Sequence, residues 1–365
     1  MSGAPAAERK HVDEPWLLPE ELRLAARNHA MPLEALAYDV TPIGLHYLLI
    51  HYDIPAIDPG TFRLVVGGRV HHPLELTLED LRSRPAVTRP VTLECAGNGR
   101  VGLSPRPVSQ PWLTEAVGTA EWTGTPLRGV LEEAGVAEDA VDVVFTGADR
   151  GVEGGMEQAF ERSLPLADAM GEDVLLAYGV NGLPLPPQHG APLRLLVPGW
   201  YGMASVKWLQ AITVSAEPFE GYQMTRAYRL KQRDEELGEP AGKILPRALM
   251  RPPGVPEFAT RVRHVPPGPV ALEGRAWSGR APIVRVEVTA DRERTWFDAD
   301  VEGPIGPSAW QRWSMTWDPD GPGAYELWCR ATDASGDSQP IDPTWNWGGY
   351  ANNAVQRLPV IVDPE

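Results

Sequence analysis

Beyond residue 245, the chain consists of short β-favouring runs that are separated by turns at regular spacing, and no helical pattern intervenes. In one of these runs, Ile283–Thr289, valines occupy every second position, which is the period of a half-buried strand. Such runs must pair into sheets, because a single strand cannot satisfy its own backbone hydrogen bonds. We therefore predict an all-β sandwich of immunoglobulin type over residues 246–365.

The first half of the chain mixes strands with short, capped helices. Thr125-Pro126 predicts a helix start with threonine as the N-cap, and Gly135 predicts its end. Thr77–Asp80 has the spacing of a capping box before a second short helix. This pattern is typical of an α+β domain. The predicted order is an N-terminal arm (1–34), the α+β domain (35–220), a charged linker (221–245) and the all-β domain (246–365).

The charge and the cysteine content limit the partners and the compartment. The 365 residues carry a net charge of −16, which argues against nucleic acid or an anionic membrane surface as the main partner. No run of ~18 apolar residues is present, so we expect no membrane span. With only Cys95 and Cys329, and with no export signal, we expect a cytoplasmic protein without a disulfide framework.

One stretch, Val91-Thr-Leu-Glu-Cys-Ala-Gly-Asn-Gly-Arg100, carries the strongest chemical signal. A β-favouring run delivers Cys95 into a turn whose glycines allow close approach of another group. A thiol there could serve as a nucleophile, a redox group or a metal ligand, or be a small buried side chain. Arg100 indicates a nearby anion. A structural zinc site is disfavoured, because no further ligands stand at zinc spacing. A single thiolate suits a metal whose other ligands come from a cofactor.

The same stretch also contains a false dinucleotide signal. Gly97–Gly102 matches the glycine fingerprint and follows a strand, but a helix must come next to hold a pyrophosphate. Ser104-Pro-Arg-Pro107 cannot form that helix, so we reject this interpretation.

A second group of polar residues follows later in the α+β domain. His189, Arg194 and Lys207 could together bind a phosphate, although solvated surface charge is an equally simple interpretation. Arg194 lies within an apolar strand, where a charge needs a partner. Tyr178 ends another apolar strand, for which a core position is the ordinary interpretation.

Segments from about residue 35 to the C-terminus resemble the sulfite oxidase family of molybdenum enzymes, of the haem-free bacterial type. In the first half they are Cys95–Arg100, Gly118–Leu127, Leu176–Gly182, His189–Gly199 and Val206–Leu209. In the second half, the segments that resemble the family's dimerisation domain are Ala276–Arg280, Arg285–Thr289, Thr295–Trp296 and Pro343–Trp347. The resemblance implies that 35–220 is a molybdopterin-binding catalytic domain and 246–365 a dimerisation domain, and hence a homodimer.

The resemblance also implies roles for individual residues. Cys95 would be the one protein ligand of molybdenum, beside a molybdopterin. Tyr178 would be the active-site tyrosine, and Arg100 would face the substrate anion. Trp112 resembles a wall of the substrate pocket, and Arg280 an arginine that the second domain adds to it. The residues implied for pterin and phosphate binding are His51, His189, Arg194 and Lys207.

One segment departs from the family pattern. The family's Arg-Asn-His corresponds to Leu49-Ile50-His51, so the histidine is kept and a leucine replaces the arginine. Arg27-Asn28-His29 has the family's letters but lies upstream, and we treat it as a coincidence. Loss of one cation predicts weaker oxyanion binding, by roughly 1–3 kcal/mol.

Together these observations predict the molybdenum-dependent oxidation of sulfite to sulfate. No haem motif is visible, so we expect no haem and an external electron acceptor. The missing arginine leaves another oxyanion or S-oxide open as substrate, for example in nitrate reduction. A non-catalytic, degenerate binding protein is the alternative of another class. The joint presence of Cys95, Arg100, Tyr178 and Arg194 argues against it.

Overall fold

The computed structural model describes residues 10–13 and 16–364, and it is rich in strands with few helices. The α-helices are α1 (Pro19–Ala25), α2 (Leu78–Arg82), α3 (Leu127–Ala134), α4 (Leu166–Ala169) and α5 (Tyr222–Thr225). Short 3-10 helices span Leu33–Ala37, Arg100–Gly102, Pro187–His189 and Gly202–Ala204. No described helix is long and apolar enough to cross a membrane.

The strands of the first half are β1 (His11–Val12), β2 (Leu64–Gly68), β3 (Leu74–Leu76), β4 (Val87–Glu94), β5 (Arg106–Pro107), β6 (Val117–Pro126), β7 (Asp142–Glu153), β8 (Met156–Pro165), β9 (Leu175–Val180), β10 (Leu183–Pro184), β11 (Arg194–Leu196), β12 (Leu209–Ser215), β13 (Arg229–Leu230) and β14 (Glu239–Pro240). Those of the second half are β15 (Arg247–Met250), β16 (Val255–Pro256), β17 (Arg263–Val265), β18 (Val270–Trp277), β19 (Ile283–Thr289), β20 (Phe297–Val301), β21 (Gln311–Trp317), β22 (Gly323–Asp333) and β23 (Gln356–Val362).

Two five-stranded sheets dominate the first half. One has the order β10-β9-β6-β4, with β11 also paired to β9, and the other has the order β3-β2-β12-β7-β8. In the second sheet, β12 runs parallel to β2, whereas the other strand pairs of this sheet are antiparallel. The apolar face of α3 packs into the core beside β2, β7 and β12. The sheet of β4 and β9 is the one that carries Cys95 at its edge.

The predicted helix signals are found close to their expected positions. The Thr77 hydroxyl accepts a hydrogen bond from the Asp80 amide at 3.0 Å, and the Asp80 carboxylate accepts one from the Thr77 amide at 2.8 Å. This reciprocal capping box begins α2. Helix α3 ends at Gly135, whose φ of 66° is favourable for glycine. Its start is shifted from the prediction, because Pro126 rather than Thr125 occupies the N-cap.

The second half forms one nine-stranded sheet in the order β15-β18-β21-β20-β19-β22-β23-β17-β16. Its inward side chains surround one apolar core that includes Trp313, Leu327 and Cys329. Ile283–Thr289 forms β19, which pairs with β20 and β22. The predicted alternation of burial does not hold throughout: Val284 is exposed and Glu287 is buried, and the pairing with β22 shifts register between Ile283 and Arg285. The immunoglobulin type of this domain and the four domain boundaries remain predictions.

Buried contacts join the two halves next to Cys95. Glu94, at the end of β4, forms an ion pair with Arg247 of β15 at 2.8 Å and accepts a hydrogen bond from the Trp277 indole at 2.8 Å. Residues 345–352, which we call the closing loop, cover the Cys95–Arg100 turn. The Ala351 amide donates to the Ala96 carbonyl at 2.7 Å. The site is therefore built from both halves of the chain.

Candidate active site

A cavity lies where the end of β4 meets the segments before and after β11. It encloses about 690 Å³ of atom-free space, part of which is open to solvent. Its lining includes titratable and aromatic side chains, namely His46, His51, Cys95, Asp149, Phe160, His189, Arg194, Lys207 and Tyr228.

Cys95 is buried at the edge of the cavity, directly after β4. Burial raises the pKa of its thiol, whereas Arg100 and the Trp112 indole act in the opposite direction. Gly97 makes the turn that follows possible, because a Cβ there would lie 2.7 Å from the Arg100 guanidinium. Gly99 has a φ of 83°, which favours glycine. Both glycines thus serve to bring Arg100 back toward the thiol.

Arg100 is buried and is held by backbone carbonyls instead of carboxylates. Its Nε donates to the Gly348 carbonyl of the closing loop at 3.2 Å, and its Nη1 donates to the Gln110 carbonyl at 3.1 Å. Its guanidinium lies 5.2 Å from the ring centroid of Tyr350. No described carboxylate forms an ion pair with it. Its positive charge is therefore available to an anion.

Two further cations, Arg194 and Lys207, line the cavity itself. Arg194 donates to the carbonyls of His189 at 3.1 Å and Ser205 at 3.0 Å, and Lys207 donates to the carbonyls of Leu49 at 2.7 Å and Gln188 at 3.0 Å. Neither has a carboxylate within ion-pair distance in the described part of the chain.

Burial, and then the charge of Arg194, lower the pKa of Lys207 to about 7. Burial also raises the pKa of Asp149, a carboxyl group that lines the same cavity, to about 6. A phosphate between Arg194 and Lys207 would favour the charged forms of both cations.

Two buried ring nitrogens around the cavity have no hydrogen-bond partner among the described residues. They are His46 Nε2, which lines the cavity, and Trp122 Nε1, in the apolar cluster of Cys95. Such atoms are costly unless a ligand satisfies them. One soft thiol, two cations for a phosphate and unpaired ring nitrogens fit a phosphorylated pterin with a bound metal. Among the residues that the structure describes, no three His, Cys, Asp or Glu side chains cluster to bind a metal without such a cofactor.

The structure does not bring Tyr178 to this cavity, which corrects its predicted placement. Tyr178 is partly buried against the large apolar core cluster and is not among the described residues that line the cavity. Its ring lies under the Arg82 guanidinium, at 5.8 Å from ring centroid to Cζ.

Tyr228 lines the cavity instead and was missed in the sequence. Its hydroxyl is 3.2 Å from His51 Nε2, and its ring centroid lies 5.0 Å from that of Tyr350 in the closing loop. It belongs to the stretch 221–245 that was predicted as a linker. The sequence around Tyr228 contains no recognisable motif, because the fold alone brings this segment to the cavity.

Trp112, Arg280 and Leu49, three further residues considered in the sequence, have different positions relative to the cavity. Trp112 is buried in the apolar cluster of Cys95 but is not among the described residues that line the cavity, so its role as a pocket wall remains a prediction. Arg280 is exposed and pairs with Asp337 at 2.5 Å, so the structure does not place it in the cavity. Leu49 lines the cavity where the family pattern has an arginine.

The upstream Arg27–His29 segment lies beside the segment that it resembles. His29 forms an antiparallel bridge with Leu48, and the Asn28 Oδ1 accepts from the Ile50 amide at 2.7 Å. Arg27 donates to the Tyr52 carbonyl at 2.7 Å and is half exposed. Its guanidinium therefore does not replace the missing cation.

Comparison with known families agrees with this site. The "Oxidoreductase molybdopterin binding domain" family matches residues 51–223, and the "Mo-co oxidoreductase dimerisation domain" family matches residues 255–363. Mitochondrial sulfite oxidase of Mus musculus is 34% identical, over 100% of this chain and 70% of that protein. Sulfite oxidase of Gallus gallus is 36% identical, over 90% of this chain and 75% of that protein.

The chain is also similar to a nitrate reductase and to a sulfane dehydrogenase. Nitrate reductase [NAD(P)H] of Hordeum vulgare is 34% identical, over 88% of this chain and 39% of that protein. The crystal structure of the sulfane dehydrogenase SoxCD from Paracoccus pantotrophus matches with a TM-score of 0.78 and 26% identity. The match covers 100% of this chain and 95% of that chain. The chain belongs to the sulfite oxidase family of molybdopterin-binding oxidoreductases.

Proposed function

We propose that this enzyme oxidises sulfite to sulfate with a molybdenum cofactor, and that Cys95 is the one ligand that the protein supplies to the metal. The observation that carries the proposal is the single buried thiol at the edge of a cavity with unpaired cations. Sulfite and water would give sulfate, two protons and two electrons. An external acceptor would take the electrons, and a homodimer is the assembly that the dimerisation-domain match supports.

Each residue of the cavity has a proposed task. His51, His189, Arg194 and Lys207 would hold the pterin and its phosphate, and His46 and Trp122 offer further nitrogens. When bound, the cofactor supplies oxygen-atom transfer and accepts the two electrons.

Arg100 would bind the oxygens of the anion through charge-assisted hydrogen bonds. Tyr228 would donate from its hydroxyl near the reacting oxygen, held in place by His51. Trp112 would close the apolar wall of the pocket and exclude water.

Nitrate reduction is the second candidate. Two observations favour it: Leu49 lines the cavity where the family pattern has a cation, and the nitrate reductase of Hordeum vulgare is 34% identical to this chain, as is the sulfite oxidase of Mus musculus. Nitrate carries one negative charge and needs less positive charge than sulfite. A sulfane-sulfur substrate is a further relative's chemistry, but no described residue of the cavity favours it.

A paired assay on the purified protein tests the proposal. We expect molybdenum in equimolar amount to the chain and sulfite-dependent reduction of an artificial electron acceptor, with little nitrate reduction by a reduced dye. Cys95→Ser should lose both the metal and turnover, while Cys329→Ser, at the other buried cysteine, should keep both. Sulfite oxidation by metal-free protein, or by the Cys95→Ser variant, would contradict the proposal.

A further inference from the structure

Arg162 is a buried cation that neither the sequence motifs nor the proposed mechanism accounts for. It lies on β8 with only 3% of its surface exposed. Its Nη1 donates to the Gln223 carbonyl, and its Nε is buried without a hydrogen-bond partner in the described residues. No described carboxylate forms an ion pair with it. A buried guanidinium in this state needs a compensating anion.

The position of Arg162 relates it to the cavity. Phe160, two residues earlier on the same face of β8, lines the cavity and packs against His51 with ring centroids 5.0 Å apart. The Arg162 guanidinium lies 5.4 Å from the ring centroid of Tyr228, which lines the same cavity. Glu153, a carboxylate near Tyr228, is already bound by Tyr52 at 3.0 Å and by Gln223 at 2.9 Å.

Arg162 and Arg100 form a related pair around two tyrosines. The contacts run in the order Arg100, Tyr350, Tyr228, Arg162, with successive separations of 5.2, 5.0 and 5.4 Å. Each arginine donates to backbone carbonyls and has no carboxylate partner in the described chain. The two charges therefore approach the tyrosine pair from its two ends.

We infer that Arg162 is a second anion-binding arginine of the substrate site. From β8, it would supply the positive charge that is missing because Leu49 stands where the family pattern has an arginine. This inference rests on the proposed function: Arg162 would attract the small oxyanion from the Tyr228 side of the site, while Arg100 lies at the Tyr350 side. Burial lowers the pKa of Arg162 only to about 10, so the side chain remains charged at neutral pH.

The test measures the binding of sulfate, as product, to the molybdenum-loaded protein by isothermal titration calorimetry, together with kcat and KM for sulfite. The variants are Arg162→Met, which keeps the length without the charge, and Arg162→Lys, which keeps the charge. Arg263→Met is the matched control, because Arg263 is also buried and donates to the backbone carbonyls of Pro253 and Gly254.

We expect Arg162→Met to weaken sulfate binding and to raise KM by about 10- to 100-fold, with a smaller change in kcat. Arg162→Lys should recover part of this loss, and Arg263→Met should leave sulfate affinity unchanged. Unchanged sulfate affinity in a folded, molybdenum-loaded Arg162→Met protein overturns the inference even if sulfite is oxidised. A loss confined to kcat, or an equal loss in the control, overturns it as well.

Failure of the proposed function gives a different result. If the protein does not oxidise sulfite but binds sulfate in a manner that depends on Arg162, the anion site stands and the reaction is another one. If Arg162→Met does not fold, the sulfate affinity of Arg162→Lys decides. The inference predicts that this affinity lies below that of the wild type. If Arg162 has a purely structural role, the affinity should equal that of the wild type.

Discussion

Tyr228 lines the cavity beside Cys95 and Tyr178 does not, although both belong to the first half of the chain. Removing each hydroxyl group in turn tests which tyrosine acts in catalysis. The structure favours Tyr228, whereas the family resemblance implied Tyr178. We expect Tyr228→Phe to lower kcat for sulfite by about 10- to 100-fold, because it removes the hydroxyl that contacts His51. The ring would still pack against Tyr350.

Tyr178→Phe is the matched control and should keep the wild-type kcat, since this ring contacts Arg82 and not the cavity. Steady-state kinetics with sulfite and determination of molybdenum content would check both variants. A large loss in Tyr178→Phe, with an unaffected Tyr228→Phe protein, would restore the assignment made from the sequence.

Single residues were predictable where they carry their own chemical signal. Cys95 and Arg194 stand out because a thiol in a glycine turn and a charge in an apolar strand are unusual. Tyr228, Tyr350 and Arg162 have no such signal. Each becomes a candidate only because separate segments meet at one cavity, and tyrosines and arginines are common in unrelated positions.

At the level of elements, the Cys95–Arg100 turn determines where the Arg100 guanidinium lies. A methyl group at position 97 would fall 2.7 Å from that guanidinium, which is the mobile end of a long side chain. Arg100 would therefore move, while the backbone stays. We expect Gly97→Ala to raise KM for sulfite about 10-fold or more with little loss of thermal stability.

Gly102→Ala serves as the control for this turn. Its added methyl group would meet only Asn352 Nδ2, at an ordinary contact distance of 3.7 Å, so KM should remain as in the wild type. KM and thermal unfolding temperature would be measured for both variants. An unchanged KM in Gly97→Ala would mean that the Arg100 guanidinium is not fixed by the turn.

The predictability of elements follows the locality of their signals. The capping box at Thr77 and the glycine stop at Gly135 act within a few residues, and both are found. The stretch 221–245 was assigned as a linker because its charges break the strand pattern. Its tertiary contacts override that local signal, since Gln223 and Tyr228 are buried against β8 and His51.

For the whole molecule, the buried Glu94–Arg247 ion pair is a main connection between the two halves. The Glu94 carboxylate also accepts from Asn98 at 3.0 Å and from Trp277 at 2.8 Å. In a Glu94→Gln variant, an NH2 group would replace one carboxylate oxygen and would face a hydrogen-bond donor, and Arg247 would lose its ion-pair partner. We expect Glu94→Gln to destabilise the protein by about 3–5 kcal/mol and to separate the unfolding of the two halves.

Differential scanning calorimetry would detect this as an earlier or divided transition. Asp298→Asn removes an exposed partner of Arg285 and should change stability by no more than about 0.5 kcal/mol. A single transition at the wild-type temperature in Glu94→Gln would contradict the coupling. The sequence indicated two parts from their different periodicities, but no pattern along the chain could pair Glu94 with Arg247.

The closing loop also has a consequence for how the enzyme matures. Residues 345–352 are synthesised long after Cys95 and Arg100, yet they provide the Gly348 carbonyl and the Tyr350 ring that position Arg100. During translation, the thiol and its glycine turn are therefore made while one wall of the site is still missing. Until residues 345–352 fold onto the Cys95–Arg100 turn, the Arg100 guanidinium lacks these two contacts and is not yet fixed for binding an anion.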